Sequence, residues 1–151
     1  MGTRQHRLQN GFTIIEVVLV LAIAGLIFLI VFVALPQLQA QRRDTQRRKD
    51  AGRMIGALDT YASNNDGTYP ADQSTTDSFT STYLSGNFKD PSTGGTYTVT
   101  YGTTAPAAIA NITYMSGAKC STNGALTTTG ATGKQFAVSI KLERGLYCQG
   151  N

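Results

Sequence analysis

A chain of 151 residues is long enough for one modest domain and a membrane anchor, and too short for two full cores. Its formal net charge is only +4, and the part after Arg53 carries five basic against six acidic residues, so no general nucleic-acid-binding field is expected there. His6 is the single histidine, which argues against a Ser-His-Asp site, a Cys-His site or a histidine-containing zinc site beyond residue 36. We therefore expect no catalytic site, no metal and no cofactor.

An unbroken apolar run occupies residues 17–35. As a helix it would be about 28 Å long, close to the hydrocarbon thickness of a bilayer. A secretory signal peptide has a shorter apolar region and a small-residue cleavage site, and the exit "LPQLQAQ" fits that pattern poorly. The run therefore predicts a membrane span.

The flanking charges and the cysteines predict opposite orientations of this span. Two basic residues, Arg4 and Arg7, precede it and six follow, so the positive-inside rule places the C-terminal part in the cytoplasm. Cys120 and Cys148 instead favour a disulfide in an exported domain over metal ligands or a redox pair, with two free buried thiols as the alternative. Charge alone does not decide the orientation.

Glu16 places a carboxylate directly before the apolar run. At the centre of a spanning helix this charge would cost roughly 2.5 to 3.5 kcal/mol, and much less near the interface. It either reaches the lipid headgroups without a further role or needs a cationic partner at the same depth.

The stretch "NGFTIIEVVLVLAIAGLIF" resembles the N-terminus of type IV pilins and pseudopilins: a basic leader ending in glycine, then Phe, a Glu five positions after that glycine, and a long apolar helix. The resemblance implies that a prepilin peptidase cuts between Gly11 and Phe12 on the cytoplasmic side and methylates Phe12. It implies that Glu16 pairs with the Phe12 ammonium of an adjacent subunit during assembly, and that the C-terminal head lies outside the cytoplasm. Such a pair of buried charges would fix the register between subunits.

The resemblance extends from Gly11 to about Phe28. Gly25 matches a mid-helix glycine of the family, whereas Pro36 lies about one turn later than the proline of many pilins. Whether the helix unwinds between these two positions in a filament is therefore left open.

The helix is expected to continue after Pro36 and to end by turn chemistry at Asn64 to Pro70. Residues 37–50 carry charges all round the helix, with possible Asp44–Arg48 and Arg47–Asp50 pairs. These charges are interpreted as a solvated face whose arginines meet lipid headgroups, as contacts with acidic groups of neighbouring subunits or, least expected, as a DNA-binding surface. From Ala51 onward a three-and-four spacing predicts one apolar face that packs on a sheet, formed by Met54, Ile55, Leu58, Tyr61 and Ala62.

Alternating segments at residues 96–101, 109–115 and 134–148 predict short strands. The fold class is thus α+β: a long N-terminal helix whose second half packs on a small antiparallel sheet. Four acidic residues are expected in solvated loops without calcium, namely Asp66, Asp72, Asp77 and Asp90. The "NIT" triplet at Asn111 lies inside a predicted strand, and modification there is not expected.

The sequence thus predicts four segments: a cleaved leader (1–11), a membrane and filament-core helix (12–36), an amphipathic helix (37–64) and a β-rich head with the disulfide (65–151). The expected function is a structural subunit of a type IV pilus that serves adhesion, twitching motility or DNA uptake. Its partners would be other copies through residues 12–50, the prepilin peptidase, the pilus machinery and, before assembly, the cytoplasmic membrane that it crosses once with its N-terminus inside. The alternatives are a pseudopilin, suggested by "NNDGTYP", and a signal-anchored extracytoplasmic binding protein.

Overall fold

The structure is a computed structural model that describes residues 11–151, and the chain divides after Gln39 into two compact units. The expectations for Arg4, His6, Arg7 and the leader up to residue 10 lie outside the described residues. One helix, α1 (Ile14–Asn64), contributes to both units and runs without interruption through Gly25 and Pro36.

The N-terminal unit consists of the first half of α1. Its large apolar side chains, from Phe12 to Leu38, are exposed throughout the described part of the unit. The helix is long and apolar enough to cross a membrane, as the composition of residues 17–35 predicts.

The C-terminal unit contains the rest of α1, a second helix and six strands. The second helix is α2 (Gln73–Tyr83), and the strands are β1 (Thr98–Tyr101), β2 (Asn111–Ser116), β3 (Lys119–Cys120), β4 (Leu126–Thr127), β5 (Phe136–Lys141) and β6 (Leu146–Gly150). Four strands form one sheet in the order β1-β2-β5-β6, and β3 pairs with β4 in a separate hairpin. A long helix with a small sheet confirms the predicted α+β class.

The apolar face predicted on α1 is buried in the core of this unit. Met54 and Leu58 are fully buried, and Ala62 nearly so, while Ile55 and Tyr61 pack at the margin. The helix ends at Asn64, where Gly67 N donates to the Ala62 carbonyl at 2.8 Å. Asp66 and Gly67 both take positive φ there (52° and 75°), a conformation that glycine adopts without cost.

The sheet differs from the prediction in direction and in burial. β1 and β2 are parallel, whereas β2, β5 and β6 are antiparallel neighbours. Alternation of apolar and polar residues is the same for either strand direction, so the sequence pattern carried no information on this point. Five consecutive residues of β5, Phe136 to Ile140, are buried, because the β3–β4 hairpin covers the second face, where Ser139 Oγ donates to the Gly124 carbonyl at 2.6 Å.

Helix α2 was not predicted, since its sequence "QSTTDSFTSTY" is rich in residues that favour caps and turns over helix interiors. Asp72 begins it with a capping box, accepting from Thr75 N at 2.7 Å. The expected loop position is therefore wrong for Asp77, which lies within α2, whereas Asp72 is its N-cap residue.

The first residue of α2 covers part of the β1 edge of the sheet. Gln73 Nε2 donates to the Val99 carbonyl at 3.0 Å, and Gln73 Oε1 accepts from Tyr101 N at 2.7 Å. The two groups are the outward-facing acceptor and donor of edge strand β1. The side-chain amide thus makes the bonds that the peptide group of a neighbouring strand would make.

A disulfide joins Cys120 on β3 to Cys148 on β6, with the two Cα atoms 5.7 Å apart. It ties the small hairpin to the edge of the four-stranded sheet. The loop that it closes spans 28 positions.

We expect Cys148→Ser to lower the free energy of unfolding by about 3 to 4 kcal/mol, because the unfolded chain regains the entropy of the open loop. Urea unfolding of the full chain in detergent under oxidising conditions, together with protease sensitivity, measures this. Cys120→Ser is the matched variant, and the double variant should be no less stable than either single one. If the losses of unfolding free energy in the two single variants added up in the double variant, an effect through the disulfide would be contradicted.

Candidate functional site

The first candidate site lies at the start of α1, around Phe12 and Glu16. Gly11 and Phe12 precede the helix, and Phe12 is 89% exposed, so the peptide bond between them is accessible. Thr13 and Glu16 form a reciprocal cap: Thr13 N and Oγ1 both donate to Glu16 Oε2 at 3.2 Å, and Glu16 N donates to Thr13 Oγ1 at 3.4 Å. A sequence "TIIE" at a helix start favours this arrangement.

The cap uses only one oxygen of the Glu16 carboxylate. Within the part of the chain that the structure describes, Glu16 Oε1 accepts no hydrogen bond. The carboxylate borders an open apolar hollow lined by Phe12, Val17, Val20 and Leu21. One acceptor therefore remains for a cation that approaches along this apolar surface.

The second candidate site is a buried ionic cluster around Arg47, whose side chain is fully buried. Its guanidinium makes a bidentate contact with Asp90, through Nε to Oδ2 at 2.6 Å and Nη2 to Oδ1 at 3.2 Å. Nη1 donates to Asp44 at 2.9 Å and to Glu143 at 3.2 Å, and Nη2 also donates to Ser92 Oγ at 2.8 Å. We call these five residues the Arg47 clamp. It joins α1, the loop before β1 and the turn between β5 and β6.

The ionised state of the clamp is stabilised by hydrogen bonds that outweigh burial. Burial alone would raise the pKa of Asp90, but the donors Arg47 and Ser92, together with the backbone N–H groups of Ser92 and Thr93, hold that pKa well below its usual range. Burial opposes the charge of Arg47 in the same way, and the bonds with Asp90 and Glu143 raise its pKa above the usual value. Hydrogen bonds from Arg43 and Arg47 lower the pKa of Glu143.

Further bonds extend the clamp along α1. Arg43 Nε pairs with Glu143 at 2.9 Å, and Glu143 N donates to Asp44 at 2.9 Å. On the next turn, buried Asp50 accepts from Tyr97 Oη at 3.0 Å and from Arg53 at 3.4 Å. Burial, and then the bond to Asp50, raises the pKa of Tyr97.

These contacts correct three expectations. Asp90 does not lie in a solvated loop but is 1% exposed beneath α1. The helix pairs are Asp44–Arg47 and Asp50–Arg53, both three residues apart, in place of Asp44–Arg48 and Arg47–Asp50. The basic segment is also not uniformly solvated, because part of it is bound by the acidic groups of its own head.

A metal is not needed to hold these carboxylates together, since the guanidinium already lies between them. Among residues 11–151, no group of three or more His, Cys, Asp or Glu side chains is arranged to bind a metal ion. All buried side-chain polar atoms in that range have a hydrogen-bond partner. Sequence reasoning missed Ser92, Tyr97 and Glu143 as members of this region, since they lie 45, 47 and 96 to 100 positions from their partners on α1.

We expect Arg47→Met to lower the free energy of unfolding by about 3 to 5 kcal/mol, because it leaves the Asp90 carboxylate buried without its counter-ion. Adding Asp90→Asn should restore part of the loss, since an asparagine oxygen still accepts from the Ser92 and Thr93 amides. Exposed Arg42→Met is the control and should change stability by less than about 0.5 kcal/mol. Urea unfolding of the full chain measures the wild-type protein, these three variants and Asp90→Asn alone, and strictly additive costs at positions 47 and 90 would contradict the clamp.

Acidification should destabilise the head through Asp90 and Glu143. Their pKa values are lowered by folding, so the stabilisation is complete above the unfolded-state values of about 4 and is lost as the pH falls through the folded-state values. The free energy of unfolding should therefore change little between pH 7 and 5 through these groups and fall steeply below pH 4. Asp90→Asn should show a shallower fall in urea titrations at each pH, and parallel curves would contradict this assignment.

Comparison with known proteins gives one match, and it covers the residues of the first of the two sites. Residues 6–32 match the model described as the prokaryotic N-terminal methylation motif. No curated protein and no solved structure matches the chain. The matched range contains Gly11, Phe12 and Glu16 and ends within the exposed apolar half of α1.

Proposed function

Because the chain carries the class III signal of type IV pilin-like proteins, we propose that it is a subunit of a type IV pilus. A prepilin peptidase cuts between Gly11 and Phe12, methylates Phe12 and releases a subunit that polymerises outside the cell. The observation that carries the proposal is the match at residues 6–32, together with an accessible Gly11–Phe12 bond directly before the helix. The role is structural rather than catalytic.

The carboxylate oxygen Oε1 of Glu16, which accepts no hydrogen bond within the described part of the chain, supports the assembly step. Cleavage creates an ammonium at Phe12, and both this cation and the carboxylate are costly in hydrocarbon. Two subunits that align with the correct stagger neutralise both charges at once. Burial of the pair gives the assembly its register rather than its net stability, and the apolar residues 17–35 supply the packing surface through which copies associate, within the segment 12–50.

The same signal supports the proposed orientation. The peptidase cuts on the cytoplasmic side, so the precursor crosses the cytoplasmic membrane once with its N-terminus inside, and the head lies outside. This placement agrees with the disulfide, which forms in oxidising compartments. It departs from the positive-inside count, in which two basic residues precede the span and six follow it.

A pseudopilin of a secretion or uptake machine is the second candidate, favoured by the turn "NNDGTYP" after α1. Pro70 is buried in this turn, its carbonyl accepts from Tyr114 Oη at 3.0 Å, and Tyr69 packs on Phe136 with ring centroids 4.6 Å apart. The turn thus fixes the end of α1 to the sheet. Fibres on cells at native expression favour the pilus, and their absence beside a functioning secretion system favours the pseudopilin.

Mass spectrometry of the mature N-terminus tests the processing step. A start at methylated Phe12 is the expected result. A mature protein that keeps Met1, or begins at another residue, would contradict the proposal and favour a signal-anchored binding protein.

We expect Glu16→Ala to insert and be cleaved normally but to reduce filament yield about tenfold or more, the change in association that corresponds to roughly 1.4 kcal/mol. Glu16→Gln, which keeps the shape and removes the charge, should behave in the same way. The yield of sheared filaments, measured against the amount of mature subunit in the membrane, gives the result. Wild-type yield from either variant would refute the register role.

A further inference from the structure

Four exposed cations of the C-terminal unit lie near one level of α1. Arg42, Arg48 and Lys49 are exposed on the helix, and Arg42 and Lys49 share a face because they are seven residues apart. The exposed side chain of Arg144 joins them, since it lies in the turn whose Glu143 bonds to Asp44 and Arg47. We call these four residues the basic collar.

The carboxylates near this level are already occupied by other arginines. Asp44, Asp90 and Glu143 bind Arg47 or Arg43, and Asp50 binds Arg53. Within the described part of the chain, no collar residue forms an ion pair. Arg48 instead lies over the Tyr147 ring, 5.5 Å from its centroid, which places this guanidinium against the side of the head.

The exposed carboxylates of the head occupy other parts of the unit. They are Asp59 and Asp66 at the C-terminal end of α1, and Asp72 and Asp77 at the start and within α2. Asp59 lies ten residues beyond Lys49, which is about 15 Å along a helix. Along α1, Asp59 is therefore separated from Lys49 by more than the Debye length at physiological ionic strength, about 8 Å.

The collar follows directly on the exposed apolar run. Arg42 comes four residues after Leu38, the last large apolar side chain of that run, so even a fully extended chain could not separate the two by more than about 14 Å. A membrane that contains the apolar run thus presents its headgroups within reach of the collar. Guanidinium groups bind phosphate oxygens with two parallel hydrogen bonds, and an ammonium binds them as a point charge.

We propose that the basic collar is a binding site for the phosphodiester headgroups of anionic lipids on the head side of the membrane. The inference rests on the proposed membrane-anchored state and adds a lipid preference to it. Before assembly, the site holds the head at the membrane surface with its collar facing the headgroups. Each basic residue near an anionic surface contributes about fivefold in affinity, the ratio that corresponds to roughly 1 kcal/mol.

The test is a titration of the full-length protein in neutral detergent micelles with dioleoylphosphatidylglycerol or dioleoylphosphatidylcholine, with bound lipids counted by native mass spectrometry. The wild-type protein should prefer the anionic lipid. The pair Arg42→Gln and Lys49→Gln should reduce that preference about 25-fold, fivefold per charge. The pair Lys119→Gln and Lys134→Gln removes the same net charge elsewhere and should retain the preference.

Three results would overturn the site. Equal affinity of the wild-type protein for both lipids would show no preference to explain, and an equal loss in both pairs of variants would reduce the effect to net charge. Displacement of phosphatidylglycerol by an equal concentration of inorganic phosphate would show a free-anion site in place of a lipid site.

Three further outcomes separate this inference from the proposals on which it rests. The wild-type protein could instead form dimers and show no lipid preference, with the dimers absent in the Arg42→Gln and Lys49→Gln pair. That result would assign the collar to binding the acidic surface of a second copy and would overturn the lipid site alone. A protein that stays outside the micelles would overturn both the lipid site and the membrane span. A mature N-terminus other than Phe12, together with a normal lipid preference, would overturn the pilus proposal and support the lipid site.

Discussion

Removing a guanidinium from water costs several kcal/mol unless carboxylates and further hydrogen-bond partners replace the lost hydration. Arg47 meets this condition with groups from three separate parts of the chain: Asp44 on its own helix, Asp90 and Ser92 in the loop before β1, and Glu143 in the turn before β6. Arg47 thereby links both loops to α1 through ion pairs with Asp90 and Glu143. The position of the helix against the sheet is therefore set by polar geometry at one end and by apolar packing of Met54 and Leu58 further along.

The two halves of α1 deal with charge in different ways. In the C-terminal unit, the buried carboxylates of Asp90 and Asp50 are paired with Arg47 and Arg53 of the same chain, so these buried charges are neutralised without another molecule. In the N-terminal half, one carboxylate oxygen of Glu16 accepts hydrogen bonds from Thr13. The other accepts none within the described part of the chain and borders an apolar surface. The first arrangement stabilises a subunit, and the second is suited to an interaction between subunits.

Local sequence patterns were sufficient for the features that depend on neighbouring residues. The apolar run, the three-and-four spacing from Ala51 to Ala62, the helix end at Asn64 and the N-terminal motif could all be predicted. The Arg47 clamp could not, because Asp90, Ser92 and Glu143 lie 43 to 96 positions from Arg47. A single Asp in a turn sequence also gives no sign that it is buried. The parallel β1–β2 pair and α2 were missed for related reasons: strand alternation is independent of direction, and the capping box of Asp72 and Thr75 precedes a helix with few strong helix formers.

Gln73 has a consequence for how copies of this protein can meet. An uncovered sheet border invites an extended segment of another molecule to dock by main-chain pairing, which is a common route to unwanted aggregation. With its acceptor at Val99 and its donor at Tyr101 both engaged by one amide, β1 offers no such template at these positions. A second copy would have to displace the Gln73 side chain before it could add a strand at this edge of the sheet.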